Sequence, residues 1–277
     1  MLETLHGAAS RLLQATGATN PLRRLSRPIS RRIARYYDRH GVRTLVNGDY
    51  LRLDVSCGQP YGRFAAQGYE DALYRDFVAR ITRASQVLDI GAYVGLFTVG
   101  AALRAGRGRV IAFEPTPASA ALVRRHALLN GVAGRVRVVE AAVGREAGTT
   151  QLHLPPNANM ASLVRANTLT LNAWDTSAVR ALTVALTSLD TFAASEASAP
   201  EVVKIDVEGA ELDVLTGGRD MLLRHRPLVF CEIHPSELAG FGATPADVHA
   251  FMDNLGYRAH PIGTPRPSGI YHIRFEP

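Results

Sequence analysis

The chain has 277 residues, of which 47% are hydrophobic, and a formal net charge of +6. This length and composition predict a folded protein with a full core and exclude an intrinsically disordered one. Its two cysteines, Cys57 and Cys231, are too few for a disulfide framework, so we expect a reducing, cytoplasmic location. The sequence contains no apolar run of about 18 residues, so we expect no transmembrane helix.

The positive charge is concentrated near the N-terminus, where nine arginines and one acid, Asp38, lie between Arg11 and Arg43. Apolar residues recur there at intervals of three or four, as in a helix that packs on a larger domain: Leu22, Leu25, Ile29, Ile33 and Tyr36. The segment is also compatible with peripheral contact with a phosphate-rich membrane surface, or with a presequence. Aromatic residues do not alternate with the arginines, so no nucleic-acid partner is expected.

Residues 1–42 have a helical pattern that Pro21 and Pro28 interrupt, and Asn47-Gly48 between two alternating stretches predicts a β-hairpin. We assign both features to an N-terminal segment, residues 1–68. A second domain, residues 69–277, begins with a helix predicted at 69–84.

From residue 86 onward, strands and helices alternate, which predicts a doubly wound α/β fold with a mostly parallel sheet. Predicted strands are QVLDIG, RVIAFEP, RVRVVEAAV, EVVKID and PLVFCEIHP, and predicted helices cover 95–106, 117–130 and 245–255. TTQLHLP is interpreted as a strand off the main sheet, and the last two strands as an antiparallel pair at its edge. Residues 155–177 are interpreted as a long loop. In such a fold the ligand binds at the carboxyl ends of the strands.

A glycine turn, DIGAYVG, follows the first strand of the second domain. Gly91 lets the backbone turn, and Gly95 lets the next helix begin close to a ligand. Asp89 places a carboxylate where it would repel a pyrophosphate, and Ala92 stands where a dinucleotide fingerprint needs glycine. The turn therefore favours a neutral or cationic nucleoside as the ligand. The alternative is a dinucleotide, which would make the protein a nicotinamide-dependent oxidoreductase.

The ends of the next two strands suit a nucleoside. Glu114, followed by Pro115, is placed to accept hydrogen bonds from both hydroxyls of a ribose. The third strand ends in Glu140-Ala141-Ala142, whose small residues leave room for an adenine ring. A phosphate-free adenine nucleoside with a sulfonium is S-adenosylmethionine, whose amino group either Asp89 or the backbone of the turn can hold.

These motifs resemble the FkbM-type family of S-adenosylmethionine-dependent methyltransferases. The resemblance runs from Tyr69 to His234, and its most specific parts are KIDVEGAEL and RPLVFCEIHP. It implies a class I methyltransferase fold with a seven-stranded, mostly parallel sheet, and methyl transfer to a hydroxyl of a sugar, glycan, polyketide or similar metabolite. The family usually has Asn at the position of Tyr93, so one polar contact near the cofactor differs here.

Charged residues at the ends of the fourth and fifth main strands form the predicted reacting end. Alternation along the strands puts Lys204, Asp206 and Glu208 on one side, and Glu232 on the same face as His234. His234 is the candidate general base, because the ordinary imidazole pKa of about 6.5 suits proton uptake at neutral pH. Glu232, Asp206 and Glu208 are candidates to orient it, and Asp206 also counts among the cofactor-binding residues.

The same side chains offer ligands for a divalent cation that lowers the pKa of a hydroxyl. No tight ligand motif such as H-E-x-x-H is present, so a metal is not predicted. The acceptor is expected under the loop at 155–177. A non-catalytic binding protein, anchored by the arginine-rich segment, is the third hypothesis.

Overall fold

The computed structural model describes residue 32 and residues 35–54, 70–154, 163, 179–196 and 199–277. The chain separates into two units, Met1–Gly41 and Val42–Pro277. In the first unit, residues 35–40 are helical. The rest of the predicted arginine-rich helix, and the predicted loop at 155–177 apart from Leu163, lie outside the described residues. So does the predicted domain boundary at 68/69, which stays a prediction.

The second unit alternates strands and helices along most of its length. Its strands are β1 Val42–Val46, β2 Asp49–Leu53, β3 Gln86–Ile90, β4 Arg109–Phe113, β5 Val136–Val139, β6 Ala141–Val143, β7 Gly148–Leu154, β8 Arg180–Thr187, β9 Val202–Ile205, β10 Leu228–Ile233, β11 Arg258–Ile262 and β12 Tyr271–Glu276. Its α-helices are α1 Asp71–Ala79, α2 Leu96–Arg104, α3 Pro117–Leu129, α4 Leu189–Ser195, α5 Glu211–Thr216, α6 Arg219–His225, α7 Pro235–Leu238 and α8 Pro245–Asn254. In the part of the chain that the structure describes, no helix is long and apolar enough to cross a membrane.

The N-terminal hairpin forms as predicted and packs on the main fold. Asn47 and Gly48 both have positive φ, 49° and 96°, as a tight turn between β1 and β2 requires. The backbone N–H of Asp54 donates to His126 on α3 at 2.9 Å, and Asn130 bonds both backbone groups of Arg52. The hairpin is therefore tied to the end of α3.

Seven strands form the central sheet in the order β11-β12-β10-β9-β3-β4-β5. Strand β12 is antiparallel to both of its neighbours, whereas β10, β9, β3, β4 and β5 are mutually parallel. This confirms the predicted mostly parallel sheet and its closing antiparallel pair. After β5 the chain returns to place β9 on the other side of β3, so strand order reverses between β3 and β9, where a ligand is expected.

A smaller sheet, in the order β6-β8-β7, lies beside the central one. It contains the predicted off-sheet strand, now β7. The prediction of a single strand in RVRVVEAAV was wrong: the chain leaves the central sheet at Glu140, and β6 pairs with β8 instead. All three residues of β6 are buried, and the strand finds its backbone partners in the second sheet. Ala142 packs with apolar residues of that sheet, whereas Val143 packs in the core of the central sheet.

Apolar layers cover both faces of the central sheet, as a parallel sheet requires. Phe77, Phe97 and Phe230 belong to the layer on one face. Val229, Cys231 and helices α5, α6 and α8 contribute to the other. Neighbouring residues of β10 thus point to opposite layers, and Cys231 lies in the core. Helix α8 begins with a capping box of Thr244 and Asp247.

Candidate active site

A cavity of about 200 Å³ opens at the carboxyl ends of β3, β4, β9 and β10. Ten residues predicted from the sequence line it: Gly91, Tyr93, Glu114, Pro115, Ala141, Ala142, Asp206, Glu208, Glu232 and His234. They come from strand ends far apart in sequence, which the parallel arrangement brings to one edge of the sheet. The cavity therefore joins the predicted nucleoside end to the predicted reacting end.

The glycine turn bends around Gly91, which has a φ of 77°. The backbone N–H groups of Gly91 and Ala92 both donate to the carbonyl oxygen of Phe113 at 3.0 Å. A Cβ atom on Gly91 would lie 1.8 Å from the carbonyl oxygen of Asp206. Only glycine fits here, because the turn passes directly against the end of β9.

Tyr93 also has a left-handed backbone conformation, with a φ of 51°. Its backbone N–H donates to Glu114 Oε2 at 2.9 Å, and its half-buried ring packs against the apolar layer that contains Phe97. The backbone of Tyr93 thus makes a polar contact of its own, which orients the carboxylate of Glu114 at the cavity wall.

Glu114 is buried at the end of β4 and lines the cavity. Its Oε1 accepts hydrogen bonds from the backbone N–H of Thr116 at 2.8 Å and from the Thr116 hydroxyl. Burial nonetheless raises the pKa of Glu114 to about 7, although the hydrogen bonds from Thr116 and Tyr93 favour the ionised form.

Asp89 does not line the cavity, contrary to the predicted contact with the ligand. Its Oδ2 accepts a hydrogen bond from Thr98 at 2.6 Å, and its Oδ1 lies 3.9 Å from the ammonium of Lys204. The reason is pairing across the sheet: Asp89 on β3 and Lys204 on β9 are register partners, and both are buried. Through these buried contacts, Asp89 stabilises the end of β3, which leads into the glycine turn.

Three further predicted residues lie outside the cavity wall. Glu140 is exposed and pairs with Arg124 at 2.7 Å, because the chain leaves the central sheet at this residue. Ala92 packs in the core with Val123, and Gly95 caps α2 against the same valine. Ala92 and Gly95 thus shape the turn and the start of α2.

His234 lies among four carboxylates at the reacting end. Its Nδ1 is 2.7 Å from Glu211 Oε1, and its Nε2 faces Glu208 Oε2 at 3.5 Å, Glu232 Oε1 at 3.8 Å and Asp206 Oδ1 at 3.9 Å. Burial disfavours the imidazolium, but the bond to Glu211 and the surrounding carboxylates raise the pKa of His234 to about 10. At neutral pH this environment holds a proton on the ring, which argues against a free base.

The other acids in this group differ in their surroundings. Burial raises the pKa of Glu208 to about 8, against the opposing effect of His234. Glu232 is also buried, but His272, His234 and Arg266 lower its pKa to about 2. Arg266 Nη1 donates to Glu232 Oε1 at 2.7 Å, and His272 Nε2 lies 3.3 Å from Oε2.

Several functional-site residues were missed from the sequence. Arg266, in the connection between β11 and β12, lines the cavity and also pairs with Glu70 before α1. Neither residue stands in a motif. Glu211, in the first turn of α5, is fully buried against His234. A buried acid in the matched segment KIDVEGAEL was the available signal.

A family model described as the methyltransferase FkbM domain matches residues 89–259. The chain belongs to the FkbM methyltransferase family. This confirms the resemblance seen in KIDVEGAEL and RPLVFCEIHP. This chain is similar to 31-O-demethyl-FK506 methyltransferase FkbM of Streptomyces tacrolimicus. The two share 30% identity over 236 residues, which cover 73% of this chain and 88% of that relative. The chain also matches Methyltransferase 1 of Beauveria bassiana (strain ARSEF 2860), with 27% identity over 152 residues, covering 50% and 61%.

Two solved structures show weaker similarity to this FkbM-family chain. One is methyltransferase FkbM from Methylobacillus flagellatus KT, with 16% identity and a TM-score of 0.46, covering 71% of this chain and 44% of that one. This chain thus spans less than half of that protein. The other is the O-methyltransferase TomG from Streptomyces achromogenes, with 17% identity and a TM-score of 0.43, covering 80% and 81%. Family membership and strand order together give a class I methyltransferase, Rossmann-like fold.

Proposed function

We propose that this methyltransferase uses S-adenosylmethionine to methylate a hydroxyl group of a sugar, glycan, polyketide or related metabolite. The observation that supports the proposal is that one continuous cavity runs from the glycine turn and Glu114 to the carboxylates around His234. A nucleoside donor and a hydroxylated acceptor can meet in such a cavity. The relative from Streptomyces tacrolimicus, named as a 31-O-demethyl-FK506 methyltransferase, supports an oxygen acceptor.

The residues of the cavity fit the cofactor. Glu114 presents a buried carboxylate that can accept hydrogen bonds from both ribose hydroxyls, and the Gly91 turn leaves the backbone close to the ligand. Ala141 and Ala142 leave space for the adenine ring, with Leu152 and Leu163 as apolar walls. Bound there, S-adenosylmethionine supplies a sulfonium methyl group whose transfer breaks a carbon–sulfur bond, leaves the electron pair on sulfur and forms a carbon–oxygen bond.

The acceptor hydroxyl must lose its proton, and we assign this proton to the ionised form of Glu208, whose population increases as the pH rises toward the raised pKa of this carboxyl, about 8. Its Oε2 lies at the cavity wall and faces His234 Nε2 at 3.5 Å. Glu208 has a φ of 53°, a strained conformation for a non-glycine residue that is typical of functional sites. His234, the base expected from sequence, then positions Glu208, while alignment of oxygen, carbon and sulfur provides much of the rate.

Titration calorimetry with S-adenosylhomocysteine tests the cofactor half of the proposal. We expect binding with a Kd of tens of micromolar or tighter, roughly 6 kcal/mol or more. Glu114→Ala should weaken it about tenfold or more, because each hydrogen bond to a charged group contributes about 1.5–3 kcal/mol.

Glu146→Ala is the matched control, because this exposed carboxylate lies outside the cavity. We expect it to leave the affinity unchanged. Failure of the native protein to bind S-adenosylhomocysteine would reject the cofactor, and an unchanged affinity in Glu114→Ala would reject the ribose contact.

A further inference from the structure

We propose that Asp206, Glu232 and His234 bind a hard divalent cation, such as Mn²⁺ or Mg²⁺, at the reacting end of the cavity. One potential ligand atom from each residue lies within 4.8 Å of the other two. Binding of the cation does not depend on the proposed reaction. The reaction explains only what a bound cation would be used for. From the sequence, these side chains were possible ligands, but a metal was not predicted because no tight ligand motif is present.

The ring of His234 is held in the orientation that a metal ligand needs. Its side chain is 3% exposed, and Nδ1 is hydrogen-bonded to Glu211, which is fully buried. Nε2 makes no hydrogen bond within the described residues and points toward the carboxylate oxygens of Asp206, Glu208 and Glu232. A carboxylate on one ring nitrogen and a ligand on the other is the arrangement that recurs around protein-bound metals.

The two carboxylate ligands are held by outer partners in the same way. Lys204 donates to Asp206 Oδ2 at 3.2 Å, which leaves Oδ1 facing His234 Nε2. Arg266 and His272 contact the two oxygens of Glu232. A carboxylate oxygen has two lone pairs, so Glu232 Oε1 can accept from Arg266 and still face a cation.

The carboxylates around His234 outnumber the permanent cations that contact them. Four carboxylates, Asp206, Glu208, Glu211 and Glu232, lie within 3.9 Å of the imidazole of His234. Within the described residues, the permanent cations that contact this group are Lys204 and Arg266. A divalent cation at Nε2 would take the place of the proton that these carboxylates hold on the ring, because a metal-bound imidazole is neutral, and it would neutralise more of the negative charge than that proton does.

The donor set selects the kind of cation. Carboxylate oxygens predominate and one imidazole nitrogen completes the set, which suits Mg²⁺ and Mn²⁺ better than a thiolate-preferring metal. A cation beside Glu208 would lower the pKa of an acceptor hydroxyl in the cavity, which promotes loss of its proton to that carboxylate.

Mn²⁺ binding to the full-length protein tests this site directly, without cofactor or acceptor. After chelator treatment and its removal, we titrate Mn²⁺ and follow free Mn²⁺ by electron paramagnetic resonance. We expect one saturable site per chain, from which excess Mg²⁺ displaces Mn²⁺. Asp206→Asn and His234→Ala should each weaken binding about tenfold or more, and Glu211→Gln should weaken it through the orientation of His234. Asp220→Asn, which changes a surface carboxylate, should leave it unchanged.

Circular dichroism of each variant verifies folding, and the near-isosteric Asp206→Asn serves where His234→Ala does not fold. The proposal is overturned if the native protein shows no saturable Mn²⁺ binding up to about 1 mM, or if folded Asp206→Asn binds it with native affinity. S-adenosylhomocysteine binding, measured on the same metal-free sample, separates the two proposals. Binding of the nucleoside alone rejects the metal site, whereas binding of Mn²⁺ alone rejects the proposed cofactor.

Discussion

At Gly91 the requirement for glycine comes from the neighbouring strand as well as from the turn. The sequence indicated a residue without a side chain so that the backbone could turn. The structure adds that a Cβ would collide with the carbonyl oxygen of Asp206, 1.8 Å away. No local pattern reveals this contact, because the two residues are brought together only when β9 pairs with β3.

Tyr93 shows how the departure from the family pattern is accommodated. Its φ of 51° is a conformation in which Asn is several-fold enriched, which fits the usual family residue. The hydrogen bond to Glu114 comes from the backbone N–H of Tyr93, so it does not depend on the side chain. The tyrosine ring instead adds apolar contact at the cavity wall.

The raised pKa of Glu114, about 7, predicts a pH-dependent affinity for S-adenosylhomocysteine. Ribose hydroxyls donate to the ionised carboxylate, so binding below pH 7 must first remove its proton. For one linked proton, the affinity should rise about tenfold from pH 6 to pH 8. Calorimetry at the two pH values, in buffers of different ionisation enthalpy, measures the change and the proton released.

Glu114→Gln provides the control for this linkage, since its amide does not titrate. The variant should bind more weakly and with little dependence on pH. Equal affinities of the native protein at pH 6 and pH 8 would contradict proton linkage at Glu114. The same raised pKa means that ionising Glu114 costs stability in the free protein as pH rises from its ordinary value, near 4.5, to about 7.

At the scale of elements, β3 and β9 are joined by a buried ion pair. Asp89 and Lys204 occupy opposite register positions, and Thr98 of α2 completes the contacts of Asp89. Burial raises the pKa of Asp89, against the opposing effect of Lys204. The buried ammonium of Lys204 on β9 thus has a partner on β3, the strand that leads into the glycine turn.

Removing one partner of this pair should therefore destabilise the fold. We expect Lys204→Met to lower the free energy of unfolding by about 3–5 kcal/mol, because it leaves the carboxylate of Asp89 buried without its counter-ion. The double variant Asp89→Asn/Lys204→Met should recover part of this loss. Urea denaturation of the four proteins gives the coupling energy. Additive effects of the two substitutions would show that the pair is not coupled.

The division of RVRVVEAAV into β5 and β6 could not be predicted from the local sequence pattern. Valines and alanines recur through the segment and no Gly or Pro divides it, so the sequence indicated one strand. The break at Glu140 depends on pairing between β6 and β8, which lies more than 35 residues further along the chain. The hairpin at Asn47-Gly48 and the helix at 245–255 were predicted correctly, because both depend on a few neighbouring residues.

At the scale of the whole molecule, alternation of strands and helices was enough to predict the sheet and to place the site at its carboxyl edge. Ten predicted residues line one cavity for that reason. The remaining contacts come from distant segments: Arg266 and Glu70 are separated by 196 residues in sequence and meet beside Glu232. The pKa of His234 likewise depends on Glu211, Glu208 and Asp206, which follow a different strand, so the ordinary imidazole pKa did not predict its role.

Transfer of a labelled methyl group provides a direct test of O-methylation by this protein. The protein is incubated with methyl-labelled S-adenosylmethionine and an extract of the source organism, and the products are identified by mass spectrometry. We predict label on an acceptor oxygen, with turnover reduced about 10²–10⁴-fold in Glu208→Gln. Label on nitrogen or carbon, or no transfer by a protein that binds the cofactor, would contradict the account.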